Sequence, residues 1–437
     1  MSSSSRPISQ RTVHVPPQQY ECSQCGKNTD LRLCVCREEL YCSLKCQKIH
    51  WKSTHKIVCA GEPDLIDLMS LHPLLAIHTI TKSPGITALP DGANLARVIT
   101  LGDPLPTIEI GRRLEAWWPT SASPASRTKL LLRILREGYL VPILTALCLG
   151  LVGEIYTTTD DPAASRHGDS PNSNAIRRLR LKYRSSPISD FGIVKGSVKS
   201  VCQLKLAYYL PAECKTFPGQ NPEDHYWLYF TTLKGEEIFL DYGLYSFDFG
   251  LLVETTPYRQ PFLPAVDKAP GYMCGDRHDT TRDSFTTHTP KQYFPFLRDK
   301  RMHHIHEQGL DSLSEGHNVR AIWAFMDRVA ARECTPAEKV LAVKWAEYNC
   351  GALSAIVKDP GKCWKQWPQE PGLGIHPIDE AIEKELGYTF PAHGDHTQWR
   401  PLLKLTETYA QGKISAADCT KGYMKWKSSH SPSNTAS

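Results

Sequence analysis

The sequence predicts an α+β protein in two unequal parts: a small N-terminal unit, and a mainly α-helical body that contains a small antiparallel sheet. Three observations predict it. Seven of the 15 cysteines fall within 21–59, apolar residues recur at helical spacing in several later segments, and 226–242 has the pattern of a β-hairpin. With 437 residues, 41% of them hydrophobic and 22% charged, the chain is long enough for two or three globular domains.

The segment 21–59 carries eight cysteine and histidine side chains in pairs. The pairs are Cys22 with Cys25, Cys34 with Cys36, Cys42 with Cys46, and His55 with Cys59. Residues four apart share one face of a helix, and a two-residue spacing suits a turn, so each pair can bind one metal ion. Fewer than about 40 residues rarely bury enough core to fold alone. Eight such ligands suit two tetrahedral zinc ions, which contribute about 10–16 kcal/mol in small fingers.

This pattern resembles the MYND-type zinc finger. The matching residues are the cysteine pairs, Tyr41-Cys42-Ser43, Cys46-Gln47, Trp51, His55-Lys56 and Cys59. The resemblance implies an interleaved ligand set, which spacing alone does not choose over a sequential one. One ion would bind Cys22, Cys25, Cys42 and Cys46, and the other Cys34, Cys36, His55 and Cys59. Because the second pair has one intervening residue where the family usually has two, either Cys34 or Cys36 is the weaker ligand, and His50 is the substitute.

The resemblance also implies a protein-interaction module that docks short, proline-containing peptides by strand addition. The family positions that support docking match Gln47 and Trp51, although Trp51 could instead pack the core of the finger. Seven Lys and Arg together with two zinc ions balance four Asp and Glu and seven thiolates within 21–59. Since a phosphate-binding surface needs an unbalanced basic face, no nucleic-acid partner is expected.

Other features favour an intracellular protein, cytoplasmic or nuclear. Residues 1–20 lack the apolar stretch of a signal peptide and predict a disordered tail. The eight cysteines outside the finger are scattered singly, as is typical of buried thiols in a reducing compartment. The uncharged run 138–153 has 16 residues and contains Pro142. A membrane span needs about 20 apolar residues, so this run predicts a buried helix, and no membrane partner is expected.

The body divides into regions by composition. We predict a helical region over 64–156, a flexible loop over 157–175, a β-containing region over 176–300, a helical region over 317–428 and a disordered tail over 429–437. The clearest strand signal is the hairpin over 226–242, and the clearest helix start is the capping box Thr335-Pro336-Ala337-Glu338. As a whole the body resembles, more loosely, uncharacterised fungal proteins with an N-terminal MYND finger, a resemblance that implies no activity.

Two alternative functions remain. Gly235-Glu236-Glu237 followed by Asp241-Tyr242-Gly243 resembles the late motif of SET-domain lysine methyltransferases, in which the tyrosine contributes to the active site. The Asn-His-Ser-Cys motif of that family is absent from the sequence, and the finger precedes this region instead of interrupting it. A transcriptional regulator acting at DNA is the weaker alternative. Because the sequence contains no Gly-rich phosphate loop and no nucleophile elbow, we expect a zinc-binding interaction protein without catalysis.

Overall fold

The computed structural model describes most of the chain. The described residues are 11–17, 20–56, 59, 61–79, 98–101, 139–160, 175–176, 179–200, 206–210, 215–218, 221–244, 251–263, 266–275, 286–308 and 310–375, with 408, 413–415, 418, 421–422 and 425 near the C-terminus. The predicted tail 429–437, the first ten residues of the other predicted tail, and most of 376–428 lie outside the described residues.

The described residues contain 18 strands and six α-helices. The strands are β1 (Arg11–Val13), β2 (Arg32–Leu33), β3 (Leu40–Tyr41), β4 (Asp64–Asp67), β5 (Val98–Leu101), β6 (Thr157–Asp160), β7 (Ala175–Ile176), β8 (Leu179–Tyr183), β9 (Ser186–Ser200), β10 (Leu206–Leu210), β11 (Lys215–Pro218), β12 (His225–Thr232), β13 (Glu237–Asp241), β14 (Leu251–Glu254), β15 (Lys268–Pro270), β16 (Tyr272–Gly275), β17 (Thr286–Pro295) and β18 (Leu373–Ile375). The α-helices are α1 (Leu44–His50), α2 (Leu68–His78), α3 (Leu140–Ile155), α4 (Lys300–Glu307), α5 (Gly316–Ala330) and α6 (Pro336–Val357). A π-turn, Trp51–His55, continues α1.

A seven-stranded sheet forms the centre of the body. Its order is β16-β13-β12-β9-β8-β4, and β17 pairs with β9 as well. All pairs are antiparallel except that of β4 with β8. The strands β12 and β13 form a hairpin in which Leu228 lies opposite Leu240. Every residue of β12 except Thr231 is buried, so this strand has protein on both faces.

Helix α3 is the buried centre of the helical layer. Every residue from Leu140 to Ile155 is buried, so the apolar run that could resemble a membrane span forms a core helix. Helices α4, α5 and α6 pack on α3, which also contacts strands β9 and β12 of the sheet. In the part of the chain that the structure describes, no helix has the length and apolar character needed to cross a membrane.

The sheet is larger, and the body less helical, than the sequence predicts. Two of the strands contain a residue that is unfavourable within a strand. Strand β9 contains Gly192, where a Cβ atom would lie 2.1 Å from the carbonyl oxygen of Phe294 on β17, so the close approach of these strands requires glycine. Strand β17 contains Pro290, which is tolerated because β17 is an edge strand with an irregularity between Pro290 and Gln292.

Residues 11–17 and 157–160 are structured, although the sequence predicts a tail and a flexible loop there. Strand β1 pairs with β6, and Thr12 lies opposite Thr158. The guanidinium of Arg11 donates to the carbonyl oxygen of Gly153 at 2.7 Å, near the C-terminus of α3. These two residues are 142 positions apart in the chain. Local sequence patterns do not reveal such long-range pairing, which is why the prediction fails here.

Candidate metal centres

Four thiols meet in the first group of metal-binding side chains, Cys22, Cys25, Cys42 and Cys46. The sulfur atoms of Cys25 and Cys42 are 3.5 Å apart, those of Cys42 and Cys46 are 3.7 Å apart, and those of Cys46 and Cys25 are 3.8 Å apart. Two thiolates about 2.3 Å from one tetrahedral zinc ion are themselves about 3.8 Å apart. The donor geometry of this group therefore fits a zinc ion.

Local backbone structure positions these thiols. The N–H groups of Cys25 and Gly26 both donate to the carbonyl oxygen of Cys22, at 3.2 and 2.8 Å, in a tight turn. Gly26 has a φ of +72°, which glycine adopts without a steric cost. The other pair lies at the start of α1, where Ser43 caps the helix by accepting a hydrogen bond from the N–H of Cys46 at 3.2 Å.

The second group contains Cys34, Cys36, His55 and Cys59. The Nε2 atom of His55 lies 3.2 Å from the sulfur of Cys34 and 3.4 Å from that of Cys36. The sulfur atoms of Cys34 and Cys59 are 3.9 Å apart. These distances also fit one tetrahedral zinc ion with three thiolates and one imidazole. All four side chains are buried, whereas the first group contains the exposed Cys25.

The short spacing between Cys34 and Cys36 is accommodated by a turn. The N–H of Arg37 donates to the carbonyl oxygen of Cys34 at 2.9 Å, and Arg37 adopts a left-handed φ of +63°. Both cysteines therefore lie in the second group. His50, the suggested substitute, is outside it, and its Nδ1 lies within hydrogen-bonding distance of the hydroxyl of Tyr41, at 2.9 Å. With Glu39 and His55 it forms a further group, in which the potential ligand atoms lie within 4.8 Å of one another.

The thiols of the two groups differ in pKa when no metal is bound. Burial raises the pKa of Cys36 and of Cys59, and hydrogen bonding to Cys25 raises the pKa of Cys42 to about 12. Burial opposes the ionisation of Cys22, but surrounding backbone N–H groups outweigh it and lower its pKa to about 6. Since zinc binds thiolates, metal uptake must displace protons from the thiols with raised pKa values.

Gln47 and Trp51 lie one turn apart along α1 and the π-turn, and both are half-buried. The indole of Trp51 packs against the cysteine-rich core of the finger. It meets the imidazole of His55 edge-on, with the ring centroids 5.7 Å apart. Trp51 thus contributes to the packing of the finger, and part of its side chain stays exposed to solvent.

A partly buried ion pair joins the finger to the body. A carboxylate oxygen of Glu38 lies 2.8 Å from the guanidinium of Arg180, which also donates to the carbonyl oxygen of Ile155 at 2.8 Å. Ile155 is the last residue of α3, and a cation at a helix C-terminus is favourable. No sequence motif predicts this contact, because its two residues are 142 positions apart.

The sequence also gave no signal for a buried carboxylate between two histidines in the main sheet. One oxygen of Asp241 accepts hydrogen bonds from Nε2 of His225 and of His288, each at 2.8 Å. Its other oxygen accepts from the N–H groups of Gly243 and Leu244. Burial alone would raise the pKa of Asp241, but the two histidines hold it well below its usual range. The cluster ties together strands β12, β13 and β17.

Tyr242, the tyrosine of the methyltransferase-like motif, follows Asp241 and is 1% exposed. Its hydroxyl lies 3.1 Å from Nδ1 of His72, on helix α2. These contacts give Tyr242 a packing role between the sheet and α2. The methyltransferase alternative itself stays a prediction.

Comparison with known proteins concerns the finger alone. Residues 22–59 match the family model described as MYND finger. A similar segment occurs in ubiquitin carboxyl-terminal hydrolase 19 of Arabidopsis thaliana, with 49% identity over 41 residues, 9% of this chain and 6% of that protein. The shared segment is thus a small part of either protein. No solved structure matches the chain significantly. The family match and the two four-ligand groups together identify residues 22–59 as a MYND zinc finger with two zinc sites.

Proposed function

We propose that the finger is a zinc-dependent docking module for a short, proline-containing segment of a partner protein, and that its zinc ions have no catalytic role. The observation that carries this proposal is the ligand count. Each group offers four protein ligands, whereas a catalytic zinc keeps one position open for water or substrate. Two zinc ions that are each coordinated by four protein side chains stabilise the fold of this small unit, and with it the conformation of its surface.

The surface next to the zinc sites supports docking by strand addition. Among the described residues, no strand other than β3 pairs with β2, so the outer edge of β2 can accept a further strand. The outer edge of β3 is already occupied, because the backbone N–H and carbonyl oxygen of Leu40 both bond to Ser23. An extended peptide can add to such an edge. On the neighbouring helix, the amide of Gln47 can bond to a peptide backbone, and the indole of Trp51 offers an apolar surface to proline.

A binding assay with fluorescently labelled proline-containing peptides tests the proposal. We expect the zinc-loaded chain to bind a subset of them, and the chelated chain to bind none. Gln47→Ala and Trp51→Ala should each weaken binding about tenfold or more, as is common for interface anchors. Asn28→Ala, at an exposed position of the same finger, is the matched control. Elemental analysis must show that every variant retains two zinc ions per chain.

Three outcomes would contradict the proposal: no peptide binds the zinc-loaded chain, the chelated chain binds equally well, or the Gln47 and Trp51 variants behave like the control. Calorimetry with S-adenosylmethionine tests the methyltransferase alternative, and micromolar affinity would overturn the absence of catalysis. A salt-titrated DNA-binding assay tests the regulator alternative. Because the zinc sites need reduced thiols, we place the protein in a reducing compartment, the cytoplasm or nucleus.

A further inference from the structure

The solvent-facing side of α1 and the π-turn carries large apolar side chains among lysines. We call this surface the lysine face; its residues are Leu44, Lys45, Lys48, Ile49 and Lys52, which line one shallow groove. Leu44 is 68% exposed and Ile49 is 45% exposed. Neither side chain belongs to the buried core of the finger. The two side chains line the same groove, and apolar side chains grouped in this way within a rim of charged ones are typical of an interaction site.

The lysine face differs from the face that carries the proposed peptide contacts. Gln47 and Trp51 are half-buried and do not line the groove. None of the residues of the lysine face takes part in the contact with the body that Glu38 and Arg180 make. Its residues are exposed in the part of the chain that the structure describes.

Charge is unevenly distributed over the finger. The segment 44–56 contains four lysines and no Asp or Glu. Among the described residues, Lys45, Lys48 and Lys52 form no ion pair. Glu38, which contributes to the neutral total of the finger, is held at the body by Arg180 and lies 3.6 Å from His14. A finger that is neutral as a whole therefore presents a positive face with an apolar centre.

We propose that the lysine face binds an amphipathic helical segment of a partner protein, in which an apolar stripe is flanked by Asp and Glu. This rests on the proposed function of the finger as a docking module and specifies a second surface for it. The apolar groove matches the stripe, and the lysines match the carboxylates. Residues 44–52 extend about 13 Å along the helix axis, which suits two to three turns of a partner helix.

The composition of the face favours a protein over a nucleic acid. A nucleic-acid surface gains affinity from many phosphate contacts, and three lysines provide few of them. The exposed side chains of Leu44 and Ile49 would also lie against phosphates or sugars without apolar partners. An acidic amphipathic helix satisfies both the charged and the apolar side chains.

Two synthetic peptides test the proposal on the full-length, zinc-loaded chain. The first is a fluorescein-labelled 14-residue peptide with Leu at positions i, i+3, i+4 and i+7 and Glu elsewhere, and the second has Lys in place of each Glu. We expect the acidic peptide to bind at least about tenfold more tightly, and its binding to weaken as salt is added.

Variants of the face locate the site. Lys45→Glu combined with Lys48→Glu should weaken binding of the acidic peptide by about tenfold to a hundredfold. Leu44→Ser combined with Ile49→Ser should weaken it while leaving the salt dependence intact. The control combines Lys27→Glu with Lys234→Glu, which changes the net charge equally at exposed positions elsewhere and should bind like the wild type. Elemental analysis again verifies two zinc ions in each variant.

The proposal is overturned if both peptides bind equally, or if the variant with Lys45→Glu and Lys48→Glu binds the acidic peptide as the control does. It is also overturned if this lysine variant loses binding to duplex DNA but not to the acidic peptide. Failure of the proposed function looks different. If Gln47→Ala and Trp51→Ala leave proline-peptide binding unchanged while the lysine variants abolish binding of the acidic peptide, only the proline-docking proposal falls.

Discussion

The buried side chains of the finger are mainly cysteines, whereas those of helix α3 are mainly leucine, isoleucine and valine. The core of the finger comprises Tyr41 and four of the zinc-binding cysteines. Helix α3 buries all 16 of its residues against helices and a seven-stranded sheet. Burying aliphatic surface stabilises a fold directly, at about 25 cal/mol per Å². The few thiols of the finger bury little such surface, so the finger depends on zinc in a way that the body does not.

Removing zinc should have the largest effect on stability, and it should affect the finger but not helix α3. We expect a strong chelator to unfold 21–59, because zinc contributes about 10–16 kcal/mol to such sites, and to leave α3 protected. Hydrogen exchange followed by mass spectrometry measures both regions in one sample. Zinc should restore protection and magnesium should not, since thiolates favour the softer ion. If α3 loses protection together with the finger, the two regions are one cooperative unit and the comparison fails.

Leu147→Ala should destabilise the body and leave the zinc sites of the finger intact. Leu147 is fully buried in α3, and truncating such a side chain costs about 2–5 kcal/mol through lost burial and a cavity. Denaturant unfolding should show this loss while the zinc content stays at two ions per chain. Val340→Ala, at a position on α6 that is 49% exposed, is the control and should change stability by less than about 0.5 kcal/mol. A Leu147 variant that loses zinc would show that the finger depends on the packing of the body.

Lowering the pH should reduce the free energy of unfolding of the body, because the body contains buried histidines. Burial lowers the pKa of His306 and of His72 to about 3, from 6.5. The unfolded chain takes up protons below pH 6.5 and the folded chain does not until about pH 3. The stabilisation is therefore complete above pH 6.5 and falls towards pH 3, by about 1.4 kcal/mol per pH unit for each histidine.

His306→Gln tests this slope. Unfolding of the α3 region, followed by hydrogen exchange between pH 7 and pH 5, should become less pH-dependent in the variant by one proton's contribution. Exchange in α3 separates this effect from zinc loss in the finger. Equal slopes in the variant and the wild type would contradict the assignment of a neutral, buried imidazole at position 306.

The smallest expected effect concerns the capping box of α6. The hydroxyl of Thr335 accepts from the N–H of Glu338, and the carboxylate of Glu338 accepts from the N–H of Thr335 at 2.7 Å. Thr335→Ala should lower the free energy of unfolding by about 1 kcal/mol, whereas Thr335→Ser keeps the hydroxyl and should cost less. Denaturant midpoints compare the two. Identical midpoints for the Ala and Ser variants would mean that the cap does not contribute.

The finger could be predicted from sequence because its geometry is set by ligand spacing over a few residues. The turn after Cys22 and the pairs on α1 and the π-turn are local features. The buried helix α3 was also predictable, since its apolar run is too short for a membrane span. The capping box at Thr335 likewise encodes the start of α6 within four residues.

The large sheet was not predictable in the same way. Gly192 weakens the strand signal of β9 and Pro290 weakens that of β17, yet both residues suit the paired geometry. The contact between Glu38 and Arg180 joins residues far apart in the chain. The hydrogen bonds of Asp241 with His225 and His288 likewise depend on strand pairing, which local patterns do not encode.

The two ends of the finger are attached to the body on either side of residues 22–59. Strand β1 precedes the finger and pairs with β6, while β4 follows it and pairs with β8. A unit attached at both ends cannot reorient as freely as one that is joined by a single flexible linker. A partner docked on it would be presented to the body in one fixed orientation, with its flanking residues near the same surface each time. Any weak second contact there would then form at a high effective concentration, so the overall affinity could exceed that of the finger alone.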